Sequence, residues 1–190
     1  MGAKYQEFHR RSIEDRDGFW SEQARLVDWH KPFGKVLDYA KPPFARWFVG
    51  GEINLCHNAV DRHLKDRASQ PALIYISTET GEEKTYTYAE LHAEVQRMAA
   101  VLQSLGVGKG DRVLIYMPMI AEAAFAMLAC ARIGAIHSVV FGGFSPDSLS
   151  SRIQDSECTL LITADEGRRG GRKVPLKANV DAAIAKAGGV

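Results

Sequence analysis

RVLIYMPMIAEAAFAMLACARIGAIHSVVFGGFSPDSL, residues 112–149, decides the fold. Its first run, RVLIYM, is apolar at successive positions from Val113 to Met117, which suits an inner strand of a parallel sheet covered on both faces. A helical stretch from about Ile120 to Ile133 follows, with Gly134 as its stop, the pattern of a helix closed by a glycine. AIHSVVF repeats the strand. Ser145 and Pro146 then read as the cap and first residue of a helix reaching about Asp155, and TLLIT is a third strand. Strand and helix alternate, so the sequence predicts an α/β fold, a doubly wound and mostly parallel sheet with right-handed crossovers.

Working outward, the same alternation extends upstream through PALIYIS, a turn at Thr80-Gly81, EKTYTY and a long helix from Tyr88 to Leu105. Thr87 and Glu90 have capping-box spacing, and Gly106 is the expected stop. Residues 1–60 differ in texture. They form a helical and aromatic N-terminal arm, with helical patterns near Tyr5–Ile13 and Gly18–Val27, then a stretch in which Pro42-Pro43 and Gly50-Gly51 interrupt regular structure. Trp20, Trp29, Phe44, Trp47 and Phe48 are its apolar glue, and Asn54 reads as the cap of a helix from Leu55 to about Ala68. Residues 61–190 are the α/β part. Downstream, PLKANVDAAIAKAGGV is a helix with a glycine stop at Gly188-Gly189 and one residue, Val190, of a further strand, so the sheet is expected to be incomplete at the C-terminus.

Composition sets bounds on function. The 190 residues are 46% hydrophobic and 25% charged with a formal net charge of +1, which offers no global field for nucleic acid or an anionic membrane. The polar start MGAKYQEF lacks the apolar core of a signal peptide, and Gln6 stands where a myristoylation site wants Ser or Thr. Cys56, Cys130 and Cys158 are scattered and odd in number, which argues against a disulfide framework and a zinc site and for a reducing cytoplasm. Cys56, His57 and His63 match no strong metal spacing, so no metal site is expected.

Several motifs can be weighed by position. GVGKGD, residues 106–111, follows a helix and precedes a strand, the reverse of a phosphate-binding glycine loop, and no G-x-x-x-x-G-K-[ST] occurs. FGGFSPD places Ser145 where a hydrolase nucleophile would stand, but Asp147 replaces the needed glycine and Pro146 lacks the N–H that would serve the oxyanion. Gly142 and Gly143 allow either a close ligand or a tight turn with unusual dihedrals. ITADEGRRGGRKVPLK, residues 162–177, surrounds Gly170-Gly171 with Arg168, Arg169, Arg172 and Lys173 at the carboxyl edge of the sheet, just before a helix that Pro175 begins. Cations at a helix N-terminus are unfavourable unless an anion visits, and arginine suits a phosphate; a solvated basic turn is the competing explanation.

Those motifs carry a resemblance. WFVGGEINLCHNAVDRH, the stretch 112–149 and ITADEGRRGGRKVPLK are similar to the amino-terminal part of the short-chain acyl-CoA synthetases of the adenylate-forming superfamily, the acetyl-CoA and propionyl-CoA synthetases. PPFARWF and NLCHNAVDRH lean toward the propionate-activating members. The resemblance implies a ligase that uses ATP, coenzyme A and Mg2+ to convert a short-chain carboxylate, through an acyl-adenylate, to a thioester. It also implies that Arg169, Arg172 and Gly143 contact coenzyme A. The family's ATP-phosphate loop and catalytic lysine have no match in residues 1–190, so no catalytic residue is assigned, and the chain alone is expected to be inactive without its C-terminal remainder. Acetate in place of propionate, and a stand-alone coenzyme A-binding or interaction module without chemistry, are the alternatives.

Overall fold

The structure, a computed structural model, describes residues 2–188. Gly189 and Val190, where the sequence suggests the start of another strand, lie outside the described residues. The chain divides into two compact units, residues 1–54 and 55–190.

In the first unit, α1 (Ala3–Glu14) and α2 (Arg16–Gln23) precede a 3-10 turn, Ala24–Leu26, and an antiparallel hairpin of β1 (Lys35–Lys41) and β2 (Phe44–Val49). The two helices are those expected from sequence; the hairpin is not. Its turn is Pro42-Pro43, which can occupy a hairpin end because it needs no ladder donor. Aromatic contacts hold the unit together, Phe8 on Phe19 at 4.7 Å and Trp29, Phe33 and Phe48 within about 5.4 Å of each other. Gly51 is required by space, since a Cβ there would lie 2.5 Å from the Trp29 ring.

The second unit begins with α3 (Leu55–Ala59), a 3-10 turn at Asp61–His63 and α4 (Leu64–Arg67), where the sequence suggests one continuous helix. Val60 leaves helical dihedrals at φ −128°, ψ −65°, and Asp61 turns its carboxylate onto Arg132, which donates to it at 2.6–3.0 Å; His92 Nε2 lies 3.2 Å away. A tertiary ion pair thus overrides local propensity. β3 (Pro71–Ile76) and β4 (Glu83–Thr87) pair antiparallel as a separate hairpin and do not extend the parallel sheet. α5 (Tyr88–Ser104) then starts at the expected capping box, Thr87 Oγ1 accepting from Glu90 N and Glu90 from Thr87 N.

The parallel sheet is β5 (Arg112–Met117) flanked by β6 (Ile136–Phe141) and β7 (Leu160–Thr163), connected through α6 (Ala121–Ile133) and α7 (Pro146–Ser156). Alternation along β5 divides the core. Val113 and Ile115 join the cluster built with α5 and α6, whereas Leu114 and Tyr116 join the one built with α7 and α8 (Leu176–Ala187), and all four are fully buried. Helices therefore cover both faces, as a doubly wound sheet requires. Gly134 and Gly188 close α6 and α8 in left-handed conformation. Cys56, Cys130 and Cys158 are free and buried, and no described helix is long and apolar enough to cross a membrane.

Candidate functional site

All three parallel strands deliver their carboxyl ends to one cavity of about 520 Å³. Met117, Pro118, Met119 and Ile120 line it after β5, Phe141, Gly142 and Gly143 after β6, and Glu166 to Arg169 after β7. Tyr75 to Thr80 and Glu82, from the β3–β4 hairpin and its turn, contribute a further wall, and Val174 and Leu176 complete the lining. This is the end of an open α/β sheet at which ligands bind.

The FGGF turn is pinned from below. Tyr116, wholly buried in β5, donates its hydroxyl to the Phe144 carbonyl at 2.8 Å and accepts from Asn179 Nδ2 of α8 at 3.3 Å; the Gly142 carbonyl is 3.2 Å from the same hydroxyl. Neither Gly142 nor Gly143 has a positive φ, so dihedral strain does not explain them. Crowding does. A Cβ on Gly142 would lie 3.3 Å from the Met117 carbonyl oxygen, and one on Gly143 would lie 2.7 Å from Phe141 Cε1 and 2.9 Å from Arg169 Nη1. Ser145 caps α7, accepting from Ser148 N at 3.3 Å, with Pro146 as the next residue.

The cationic stretch is a hairpin. β8 (Gly167–Arg169) pairs antiparallel with β9 (Arg172–Val174) around Gly170-Gly171, whose φ values of +58° and +73° are what a two-residue hairpin turn demands and what side chains resist. Arg169 and Arg172 are directly opposed across the ladder and so share one face, as do Arg168 and Lys173 on the other. The Arg169 guanidinium lies over the Phe141 ring, 5.0 Å from its centroid, a cation–π contact that also brings it against Gly143. Arg168 and Arg169 line the cavity, and Arg172 is exposed beside them. Lys173 is engaged by Glu166 at 2.8 Å, and Lys177 by Asp181 at 2.5 Å. Among the described residues no carboxylate stands within ion-pair distance of Arg169 or Arg172.

Gly143 and Arg169 are thus brought into contact, with Arg172 as the cross-strand neighbour of Arg169. The parts that sequence reasoning missed are the Phe141 platform, the Tyr116 pin and Glu79, whose carboxylate accepts from Gly170 N at 2.6 Å and Gly171 N at 2.9 Å. Those two N–H groups, with Arg168 nearby, hold the Glu79 carboxyl below its ordinary range. Burial pushes the Cys56 and Cys130 thiols up to about 11, which leaves both inert at neutral pH. No group of three or more His, Cys, Asp or Glu that could hold a metal ion occurs among the described residues.

Comparison with known proteins fits this geometry into a family. Residues 60–188 match the AMP-binding enzyme family, and residues 5–59 match the acetyl-coenzyme A synthetase N-terminus. The chain is 57% identical over 183 residues to a propionate–CoA ligase of Salmonella typhimurium, covering 96% of this chain and 29% of the relative. It is 58% identical over 191 residues to an acetyl-coenzyme A synthetase of Bradyrhizobium diazoefficiens, covering 99% and 30%. Acetoacetyl-CoA synthetase from Streptomyces lividans superposes with a TM-score of 0.89 at 34% identity, over 99% of this chain and 29% of that one. The chain spans about 30% of the length of the curated relatives it matches. With a doubly wound sheet of the same architecture and a family match over most of its length, the chain belongs to the AMP-binding enzymes.

Proposed function

We propose that this chain is the amino-terminal part of an ATP-dependent short-chain acyl-CoA ligase and supplies part of its coenzyme A site. The observation that carries the reading is the contact of Arg169 with Phe141 and Gly143 at the carboxyl end of the sheet. A guanidinium held on a ring, with a second arginine opposite it and no carboxylate partner among the described residues, is positioned for an anion that comes from outside. The 3′-phosphate and diphosphate of coenzyme A are such anions, and the apolar wall of Met117, Met119 and Ile120 suits the uncharged arm that follows them.

The reaction runs in two steps. A carboxylate is a poor electrophile, so its oxygen first attacks the α-phosphorus of ATP, forming the acyl-adenylate and releasing diphosphate. The sulfur of coenzyme A then attacks the acyl carbonyl, the bond to the adenylate oxygen breaks, the thiol proton passes to base, and AMP leaves. Residues 1–190 act in the second step by binding, since Arg169 and Arg172 hold the thiol's carrier while Gly143 leaves the Arg169 guanidinium its place over Phe141. Magnesium would accompany ATP, and residues 1–190 are assigned no ligand to it. The relatives' names favour propionate or acetate equally, at 57% and 58% identity, and the aromatic arm sequence favours propionate. The proposed place of action is the cytoplasm.

The test is to measure acid-dependent ATP–pyrophosphate exchange and thioester formation separately on the full-length protein that carries this chain, with propionate and acetate in parallel. Both activities are expected. Binding of coenzyme A without exchange for any short acid would instead establish a binding module without chemistry.

A further inference from the structure

The cationic hairpin is held at both ends, and the two attachments differ. At its base Gly167 is buried, where a Cβ would meet Pro118 and Leu176 at 3.3–3.4 Å, so the backbone is wedged against the core. At its tip the side-chain side is open: among the described residues nothing lies within 4 Å of a Cβ built on Gly170 or Gly171. Both turn N–H groups donate to the carboxylate of one side chain, Glu79, which precedes Gly170 by 91 residues. Glu79 is itself on a braced support. Its turn is closed by Ser77 N donating to Glu82 O at 2.8 Å and Gly81 N to Ser77 O at 2.9 Å, with Ser77 Oγ accepting from Thr80 N at 3.2 Å.

We infer that Glu79 is a positioning residue for the coenzyme A site, tethering the Gly170-Gly171 tip so that Arg169 stays over Phe141 and beside Gly143. This role rests on the coenzyme A site proposed for the hairpin. The chemistry is specific to a carboxylate, whose two oxygens can accept from two adjacent N–H groups at once, and its charge offsets the repulsion among Arg168, Arg169, Arg172 and Lys173. Left untethered, a two-residue turn of glycines has the largest conformational freedom any turn can have. Arg169 would then be ordered only by its own ring contact, and a phosphate would have to order the hairpin as it bound.

The experiment compares Glu79→Ala and Glu79→Gln with wild type in the full-length enzyme. Glu79→Ala removes two exposed charge-assisted hydrogen bonds and should raise the KM for coenzyme A about three- to tenfold, while kcat and acid-dependent pyrophosphate exchange stay at the wild-type level. Glu79→Gln, which keeps one acceptor oxygen, should recover part of that effect. Amide exchange at Gly170 and Gly171 should accelerate in Glu79→Ala and less so in Glu79→Gln. An unchanged KM overturns the inference, and a lowered KM would show that Glu79 competes with the incoming phosphate for these donors. Equal loss of exchange and thioester formation would mean a merely structural residue. Absence of exchange in the wild type overturns the ligase reading itself, and the positioning role with it, while the amide data still report whether the tether exists.

Discussion

Gly143→Ala probes the site through a single methyl group. The added Cβ would stand 2.7 Å from Phe141 Cε1 and 2.9 Å from Arg169 Nη1, so one or both must retreat by roughly half an ångström or more to reach ordinary contact. Phe141 is the last residue of β6 and is held by the sheet, whereas the Arg169 guanidinium ends a long side chain, so the guanidinium gives way first. The φ of Gly143 lies outside the left-handed region, so alanine adds no backbone strain, and the exposed position limits the stability cost to within about 0.5 kcal/mol. The cation–π contact is worth about 0.5–1 kcal/mol at an exposed site, and a displaced guanidinium also weakens a charge-assisted hydrogen bond to phosphate. Together these amount to about 1–2 kcal/mol, a five- to thirtyfold rise in the KM for coenzyme A. Steady-state thioester formation with varied coenzyme A, pyrophosphate exchange and a thermal melt make up the assay. A wild-type KM, or parallel loss of exchange and melting temperature, would refute the assignment of Gly143 to the coenzyme A site.

Two further outcomes follow from the same structure. Ser145→Ala should cost roughly 0.5–2 kcal/mol of stability by removing the α7 cap and leave activity per folded molecule intact, measured by urea melts and specific activity; labelling of Ser145 by a fluorophosphonate would contradict it. Cys56 and Cys130 are folded as neutral thiols with pKa values pushed by burial to about 11, above the unfolded value of about 8.5. Their contribution to stability is therefore complete below about pH 8.5 and is lost as pH rises toward 11, so denaturation midpoints in an otherwise cysteine-free background should fall across that window, and native protein at pH 8 should resist a disulfide reagent.

Legibility tracked how local the information was. The β5–α6–β6 stretch could be read because apolar runs and the Gly134 stop lie within, or within a few residues of, the elements they mark. Ser145 and the Thr87–Glu90 capping box were legible for the same reason. PALIYIS and EKTYTY were recognisable as strands, yet nothing in them states that they pair with each other and not with the sheet, because neighbours are chosen by tertiary packing. The break after Ala59 depends on Arg132, 71 residues away from Asp61. At the site, the density of cations around two glycines signalled an anion, but not that the stretch is a hairpin or that Phe141 supplies its platform. Glu79 had no local signal whatever: it is one acidic residue in a polar turn until the fold brings Gly170 and Gly171 to it.

The central claim is that the cationic hairpin serves coenzyme A and not adenylation, and the most direct measurement is the pair of half-reactions in Arg169→Ala combined with Arg172→Ala. Removing two guanidiniums that would bind phosphate should weaken coenzyme A by at least roughly tenfold, seen as a raised KM in thioester formation, with acid-dependent pyrophosphate exchange held at the wild-type rate. Equal loss in both half-reactions, or no change in the KM for coenzyme A, would contradict it.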